Sequence, residues 1–363
     1  GKRVQRPRPF ASGARRGGRG GRRTGTGGVG ACGGAKAMAA TAAGEAGGGG
    51  PSSKALDLYG GQLPDLEKIE IRDDVEEIDL TENRLKALDA RLLALKSLKR
   101  ITFRKNLLTD VSALDELQSA PKLSELVLYD NLIKRMPPLE KYRALEKLDI
   151  SYNKLKSMQP VAQVSETVKE LYLAANRIGE IESLAALPRL TLLELGSNRI
   201  RKMQNLERLT GLTELWLGRN KIEAIEGLAT LTKLRRLSVQ NNRLRSIQGL
   251  ETCTELAELY LSFNGLTRIE GLGTLRKLKI LDLGNNQLER VEGLESLAQL
   301  EDLWMNDNRC ETLSALEEGL SHVKTLKTAY FEGNPCSKAG DYKAKLVEWL
   351  PQLEQLDVEE IKR

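Results

Sequence analysis

The residue types that most often carry catalysis or bind metals are scarce in this sequence. Among 363 residues there is one histidine, His322, and there are four widely spaced cysteines, Cys32, Cys253, Cys310 and Cys336. A single histidine argues against His-based triads and histidine metal sites. The cysteines lack the CxxC spacing of zinc clusters and are typical of a reducing compartment. We therefore expect no catalytic residue, no metal and no cofactor, and a chain that is not an enzyme.

The charge of the chain is concentrated at its beginning. The chain as a whole carries +6, and residues 1–52 hold ten basic residues and one acid, so the remaining residues carry −3. Residues 1–54 are rich in Gly, Ala and Arg, and such a segment buries too little apolar surface to offset its ordering entropy. We predict a disordered basic tail over 1–54. Further along the chain no apolar run approaches the 18 residues of a membrane span, which predicts no membrane partner.

The tail leaves three interpretations open. Its Gly/Arg-rich segment, residues 15–23, resembles elements that bind RNA through charge and arginine stacking. The simpler interpretation is a solvated linker, and an Arg-rich, acid-poor composition also suits a transit peptide. Met38 is a candidate translation start, which would make the first 37 residues processed or appended sequence.

A repeated LxxLxLxxN pattern organises the remainder of the chain. Clear examples are Leu145–Asn153, Leu190–Asn198 and Leu278–Asn286. Successive asparagines of the pattern are 22 to 26 residues apart, and most are 22 apart. This period is the signature of leucine-rich repeats. The twelve asparagines are Asn83, Asn106, Asn131, Asn153, Asn176, Asn198, Asn220, Asn242, Asn264, Asn286, Asn308 and Asn334.

The repeat predicts an α/β solenoid. The x-L-x-L core has period 2, so each repeat contributes a short strand, and parallel strands stack into one curved sheet. We expect a leucine-rich repeat horseshoe of about 12 repeats, with the sheet on the concave face and both ends capped. Residues 55–337 form the solenoid and 338–363 the C-terminal cap in this assignment, with an N-terminal cap beginning near residues 63–71. The asparagine amide should satisfy backbone groups inside the coil.

The cysteines of the solenoid fall on apolar repeat positions. Cys310 and Cys336 follow the pattern asparagine by two, where other repeats carry Ile or Leu, and Cys253 takes a leucine slot. We predict that all three are buried. His322 lies in the lengthened last repeat and should be on the surface.

The residue between the two inward strand positions points into the concavity, and we call these residues the central column. Five of its twelve members are aromatic in a chain that is 4% aromatic, and four are acidic. Strand propensity explains part of this enrichment. It does not explain why so few aliphatic residues occur there. The central column is Asp79, Thr102, Val127, Asp149, Tyr172, Glu194, Trp216, Ser238, Tyr260, Asp282, Trp304 and Tyr330.

The residues two positions earlier form a second concave column, the flanking column. Together the two columns hold ten acids and three bases. Exposed aromatic residues among charges are typical of a protein-binding surface with anchors and a polar surround. The expected partner is a folded protein that is apolar in places and basic in others. Phosphates would be repelled, so nucleic acid is an unlikely partner except through the tail. The flanking column is Glu77, Arg100, Glu125, Lys147, Glu170, Leu192, Glu214, Arg236, Glu258, Ile280, Asp302 and Thr328.

The 22-residue repeats, with I-E-x-L after the asparagine turn, resemble the regulatory subunit 7 family of protein phosphatase 1. The resemblance spans about residues 65–360 and is closest in concave-face segments and at the C-terminal end. These segments are Leu193–Ile200, Trp216–Ile222, Trp304–Asn308, Tyr330–Pro335 and Leu350–Asp357.

The resemblance implies a non-enzymatic regulator that binds the catalytic subunit of protein phosphatase 1 through its concave face and restrains or routes it. It also implies a nuclear and cytoplasmic location and a further phosphatase regulator in a ternary complex. The alternative is a leucine-rich repeat scaffold in a ribonucleoprotein or cytoskeletal assembly. The positions that the family uses for binding correspond here to Asp149, Tyr172, Glu194, Trp216, Asp282, Asp302, Trp304 and Tyr330.

Overall fold

The structure, a computed structural model, describes residues 54–116, 121–137, 139, 141–164 and 166–361. Its main feature is one sheet of fifteen strands, in which each strand lies beside its neighbours in the sequence. Pairing is parallel from β1 to β14, and β15 is antiparallel to β14. Parallel neighbours in chain order define a solenoid, so the predicted leucine-rich repeat fold is confirmed.

The strands are short and evenly spaced along the chain. Those that carry the repeat pattern are three residues long, and each begins six residues before its asparagine. The strands are β1 (Ala55–Asp57), β2 (Glu77–Asp79), β3 (Arg100–Thr102), β4 (Glu125–Val127), β5 (Lys147–Asp149), β6 (Glu170–Tyr172), β7 (Leu192–Glu194), β8 (Glu214–Trp216), β9 (Arg236–Ser238), β10 (Glu258–Tyr260), β11 (Ile280–Asp282), β12 (Asp302–Trp304), β13 (Thr328–Tyr330), β14 (Gln355–Leu356) and β15 (Glu359–Glu360).

The return segments on the convex side are mostly turns and extended chain, as the sequence predicts. The described helices are α1 (Ala90–Leu93), α2 (Ala113–Glu116), α3 (Leu313–Leu320) and α4 (Tyr342–Trp349). Three 3₁₀ turns cover Gln159–Gln163, Leu184–Ala186 and Pro335–Lys338. No helix among the described residues is long and apolar enough to cross a bilayer.

The asparagines form a ladder through the interior of the coil. The Asn153 side chain donates through Nδ2 to the carbonyl oxygens of Leu128 (2.9 Å) and Ile150 (3.1 Å). Its Oδ1 accepts from the backbone N–H of Ile133 at 2.9 Å. Each amide therefore links its own turn to the preceding one and satisfies backbone groups that the bend leaves unpaired. This confirms the role predicted for the asparagine.

The I-E-G-L segments need glycine at the third position. Gly271 has φ +71°, and a Cβ there would lie 2.5 Å from the carbonyl oxygen of Ile247 in the preceding turn. A side chain at this position meets both the left-handed backbone and a backbone atom that cannot move aside. The glycine thus allows successive turns to approach closely.

Both ends of the sheet extend beyond the asparagine pattern. At the start, β1 adds a strand before the first patterned repeat, because Leu56 and Leu58 supply the inward alternation without the asparagine. At the end, Leu346, Leu350 and Leu353 are buried against the core behind β14. The predicted basic tail lies outside the described residues except for Lys54, and the boundaries at 54/55 and 337/338 stay predictions.

Candidate functional site

Each repeat strand presents two residues to the concave side and buries the one between them. On β8, Leu215 is fully buried, whereas Glu214 and Trp216 on either side of it are partly exposed. The same alternation recurs along the sheet because successive side chains of a strand point to opposite faces. The structure thus places the flanking column and the central column side by side on the concave face.

The strand register brings the eight predicted binding residues into one continuous region. Asp149 is opposite Tyr172, Tyr172 opposite Glu194, and Glu194 opposite Trp216, on strands β5 to β8. A second group on β11 to β13 places Asp282 beside Trp304 and Trp304 beside Tyr330, and Asp302 lies on the same strand as Trp304. With neighbouring strands about 4.8 Å apart, the row from β5 to β13 extends roughly 38 Å.

Four aromatic rings join the two groups into a ridge, which we call the aromatic ridge. The centroids of Trp216 and Tyr260 are 6.0 Å apart with the rings stacked. Tyr260 and Trp304 are 6.4 Å apart, and Trp304 meets Tyr330 edge-on at 6.2 Å. These separations lie in the range in which aromatic pairs attract each other beyond simple burial. The ridge is therefore a preorganised apolar surface.

The rings of Trp216, Tyr260 and Trp304 can approach one another because the strands between them, β9 and β11, carry short side chains in the central column. Ser238 on β9 is 1% exposed and Asp282 on β11 is 8% exposed, each lying between larger neighbours. Aromatic rings two strands apart therefore come within 6.4 Å of each other, measured between ring centroids. The sequence predicts an exposed central column, and that prediction is wrong for Ser238, Tyr260 and Asp282, which the structure buries.

Tyr260 is a site residue that the family resemblance omits. It lies between Trp216 and Trp304 and contacts both rings, and its hydroxyl donates to Glu258 Oε2 at 2.8 Å. Without Tyr260 the ridge would be divided in two. Its membership of the central column is the sequence signal that identifies it.

Acidic side chains of the first group are held by backbone donors. Glu194 Oε1 accepts from the Gly196 N–H at 2.6 Å, and Asp149 Oδ1 accepts from the Ser151 N–H at 2.8 Å. Burial raises the pKa of Glu194 to about 7, and the nearby Asp149 charge adds to the increase. Burial likewise raises the pKa of Asp149. A cationic partner group would stabilise the ionised forms of both.

The acids of the second group are also partly removed from water. Asp282 accepts from the hydroxyl of Ser262 at 2.6 Å and from the Gly284 N–H at 3.1 Å. Burial raises the pKa of Asp282 in spite of these bonds. Burial raises the pKa of Asp302 too. The two carboxyl groups lie next to the aromatic ridge, where a basic group of a partner would be drawn into an apolar setting.

The basic residues of the flanking column form ion pairs with acids of the same column. Arg236 lies between two acids, with Nη1 3.0 Å from Glu214 Oε1 and Nε 2.8 Å from Glu258 Oε1. Lys147 pairs with Glu125 at 3.0 Å. Of the ten acids in the two columns, four lie beside a base, namely Glu77, Glu125, Glu214 and Glu258. The acids of the columns without an ion pair among the described residues are Asp79, Asp149, Glu170, Glu194, Asp282 and Asp302.

The polar ends of the aromatic residues are mostly occupied. The Tyr172 hydroxyl donates to Glu170 Oε2 at 2.9 Å, and Trp216 Nε1 donates to Glu214 Oε2 at 3.2 Å. Tyr172 and Trp216 are thereby each held by the flanking acid of their own strand. Trp304 Nε1 is buried and has no hydrogen-bond partner within the part of the chain that the structure describes. The concave face thus combines aromatic rings with carboxylates.

The three cysteines of the solenoid and its histidine lie where the sequence predicts. Cys253, Cys310 and Cys336 are buried and free, and burial raises the pKa of the Cys310 thiol to about 12. His322 is exposed. In the described ranges no three His, Cys, Asp or Glu side chains lie close enough together to hold a metal ion. Cys32 lies outside those ranges.

The class of the protein follows from this fold and from family matches. Residues 143–200 match the family described as "Leucine rich repeat", and residues 210–252, 232–274, 254–296 and 276–318 match "Leucine Rich repeats (2 copies)". The chain has the leucine-rich repeat fold. A leucine-rich repeat protein of Leptospira interrogans has a similar fold, with a TM-score of 0.62 and 21% identity over 84% of this chain and 95% of the other.

Two curated relatives carry names that describe a role and not only a fold. The chain is 43% identical over 165 residues to the protein phosphatase 1 regulatory inhibitor subunit PPP1R7 homolog of Arabidopsis thaliana, covering 45% of this chain and 50% of the relative. It is 37% identical over 92 residues to the protein phosphatase 1 regulatory subunit SDS22 of Saccharomyces cerevisiae, covering 25% of this chain and 27% of the relative. The match thus spans half or less of each relative's length. The predicted resemblance to this type of leucine-rich repeat regulator is confirmed.

Proposed function

We propose that this protein is a non-enzymatic regulatory subunit that binds the catalytic subunit of protein phosphatase 1 through the concave face of its repeats. The relatives named as regulatory subunits of that phosphatase support the choice of partner. One observation supports the concave face as the binding surface, namely the aromatic ridge with carboxylates beside it.

The chemistry of the concave face supports a protein as the partner. Large preorganised aromatic side chains near the middle of a surface supply most of the binding energy of protein interfaces. The partly exposed Asp302 beside Trp304 favours basic groups and would steer their approach. A row of roughly 38 Å matches the extent of an interface of about 800 Å² on each partner. The surface therefore suits a folded protein with basic and apolar areas.

The proposal extends to location and assembly. A regulator of this kind acts in the nucleus and cytoplasm, where a phosphatase catalytic subunit is available to it. Because the concave face takes the catalytic subunit, the convex side and the flanks stay free for a further phosphatase regulator in a ternary complex.

A binding assay with purified protein phosphatase 1 catalytic subunit tests the proposal. The full chain should retain the catalytic subunit, and phosphatase activity of the complex should differ from that of the free subunit. The variant Asp302→Lys should retain much less, because it reverses a charge beside the ridge. The matched control Glu289→Lys reverses an exposed charge on a return segment and should bind like the parent. Failure of the parent to bind, or equal loss in both variants, would refute the proposal.

A further inference from the structure

A groove lined by cations lies on the side of the solenoid, away from both concave columns. It is formed where three consecutive turns leave strands β4, β5 and β6 after their asparagines. The groove has a volume of about 640 Å³, and five basic side chains line it, namely Lys134, Arg135, Lys154, Lys156 and Arg177. We call this feature the basic groove.

None of these five cations has an ion-pair partner among the residues that the structure describes. Two cations of the concave face, Lys147 and Arg236, each lie within 3.0 Å of a carboxylate. Five like charges in one concavity repel one another, and a bound anion relieves that repulsion. Since the chain beyond residue 52 carries −3 overall, the cluster is a local concentration of charge and not a consequence of composition.

The cationic row continues into later turns at the same repeat position. The residue directly after the pattern asparagine is basic in five consecutive turns, and the last three lie beyond the groove: Lys154, Arg177, Arg199, Lys221 and Arg243. Arg243 is 3.8 Å from Glu223, where the unpaired stretch ends. Turns stacked about 4.8 Å apart thus present a line of charges along the solenoid axis. A line of this kind matches an extended chain better than a compact ligand.

We propose that the basic groove binds an extended acidic peptide segment of a partner protein. Pro160 is partly exposed and adds apolar contact surface between the cations, as side chains of a peptide require. Single-stranded nucleic acid is disfavoured because, among the residues that the structure describes, no aromatic side chain lines the groove for base stacking. The chain's own first 52 residues are disfavoured because they carry +9. The groove does not overlap the concave columns, so an acidic segment could bind while the concave face is occupied.

Fluorescence anisotropy with a labelled decaglutamate peptide tests this proposal on the full chain. The groove variant carries Arg135→Gln, Lys156→Gln and Arg177→Gln. The control variant carries Lys96→Gln, Lys233→Gln and Arg276→Gln, which removes the same charge from exposed positions outside the groove. Matching thermal unfolding of the three chains establishes that each is folded.

We expect the groove variant to bind the peptide about tenfold more weakly than the parent, and the control to remain within about twofold, at physiological ionic strength. Equal weakening in both variants would mean that net charge alone attracts the peptide, and it would overturn the proposal. Unchanged binding in both would overturn it as well. A parallel measurement with labelled decauridylate would assign the groove to RNA instead if the RNA bound more tightly and lost more affinity in the groove variant. Loss of phosphatase binding in Asp302→Lys bears only on the concave face, so the two proposals can fail separately.

Discussion

Removing one rung of the asparagine ladder should cost far more stability than the loss of one surface amide. Asn198 is 8% exposed and donates through Nδ2 to the carbonyl oxygens of Leu173 (2.9 Å) and Leu195 (3.0 Å). Its Oδ1 accepts from the Ile178 N–H at 3.0 Å. Asn198→Ala abolishes these three bonds and leaves the Ile178 N–H without its acceptor in a dry interior, whereas the two carbonyl oxygens keep bonds from Asn176 and Asn220. At about 1 kcal/mol for each bond, the free energy of unfolding should fall by about 3 kcal/mol.

Equilibrium urea unfolding measures this loss. Circular dichroism and tryptophan fluorescence should be followed together, because stacked repeats can unfold in parts and a single probe would then mislead. The control Asn306→Ala removes an amide of the same size from a partly exposed position, and we expect a change of at most about 0.5 kcal/mol. A loss below about 1 kcal/mol for Asn198→Ala, or an equal loss for the control, would show that the ladder does not hold the turns together.

Three further outcomes follow from the structure. Leu237→Asp puts a carboxylate at a fully buried strand position and should lower the free energy of unfolding by about 3–5 kcal/mol, measured in urea. Because the folded chain keeps Glu194 protonated up to about pH 7, against an ordinary pKa of 4.5, stability should fall as pH rises from 4.5 to 7, and Glu194→Gln should reduce that fall in urea titrations at several pH values. Cys310, whose pKa is raised to about 12, should resist a thiol reagent at pH 8 until the chain is denatured.

For each of these three predictions, one result would contradict the reasoning. A normal unfolding curve for Leu237→Asp would place that residue on the surface and not in the core. Identical pH profiles for the parent and Glu194→Gln would mean that the carboxyl is ionised and well solvated. Rapid labelling of Cys310 in the native chain would show that the last repeats open readily.

The fold could be predicted because one rule repeats along the chain. The LxxLxLxxN pattern determines the strand, the inward leucines and the interior amide at each turn, and Asn153 occupies the position that the pattern gives it. Where the pattern is absent, the sequence does not predict the strands. Strand β1 was missed because Leu56 and Leu58 alternate without a following asparagine, and the two short strands after Tyr330 follow no repeat at all.

The candidate site was predicted as a set of positions but not as a surface. The sequence identifies Trp216 and Trp304 as central-column residues, because strand alternation determines which residues face outward. It does not reveal that rings two strands apart meet over Ser238 and Asp282, since that depends on the direction in which side chains lean. Nor does counting charges reveal that Arg236 bridges two neighbouring acids.

Calorimetry of Trp304→Ala with the catalytic subunit of protein phosphatase 1 tests the central claim most directly. Trp304 lies between Tyr260 and Tyr330 in the aromatic ridge, and the loss of such an anchor typically weakens binding by about 2–4 kcal/mol, or roughly 30- to 1,000-fold in Kd. Phe263→Ala is the matched control, because that ring is 54% exposed and lies outside both columns. The account predicts a large loss of affinity for Trp304→Ala and a change within about threefold for Phe263→Ala. Equal affinity of Trp304→Ala and the parent, with both chains folded, would contradict binding through the concave face.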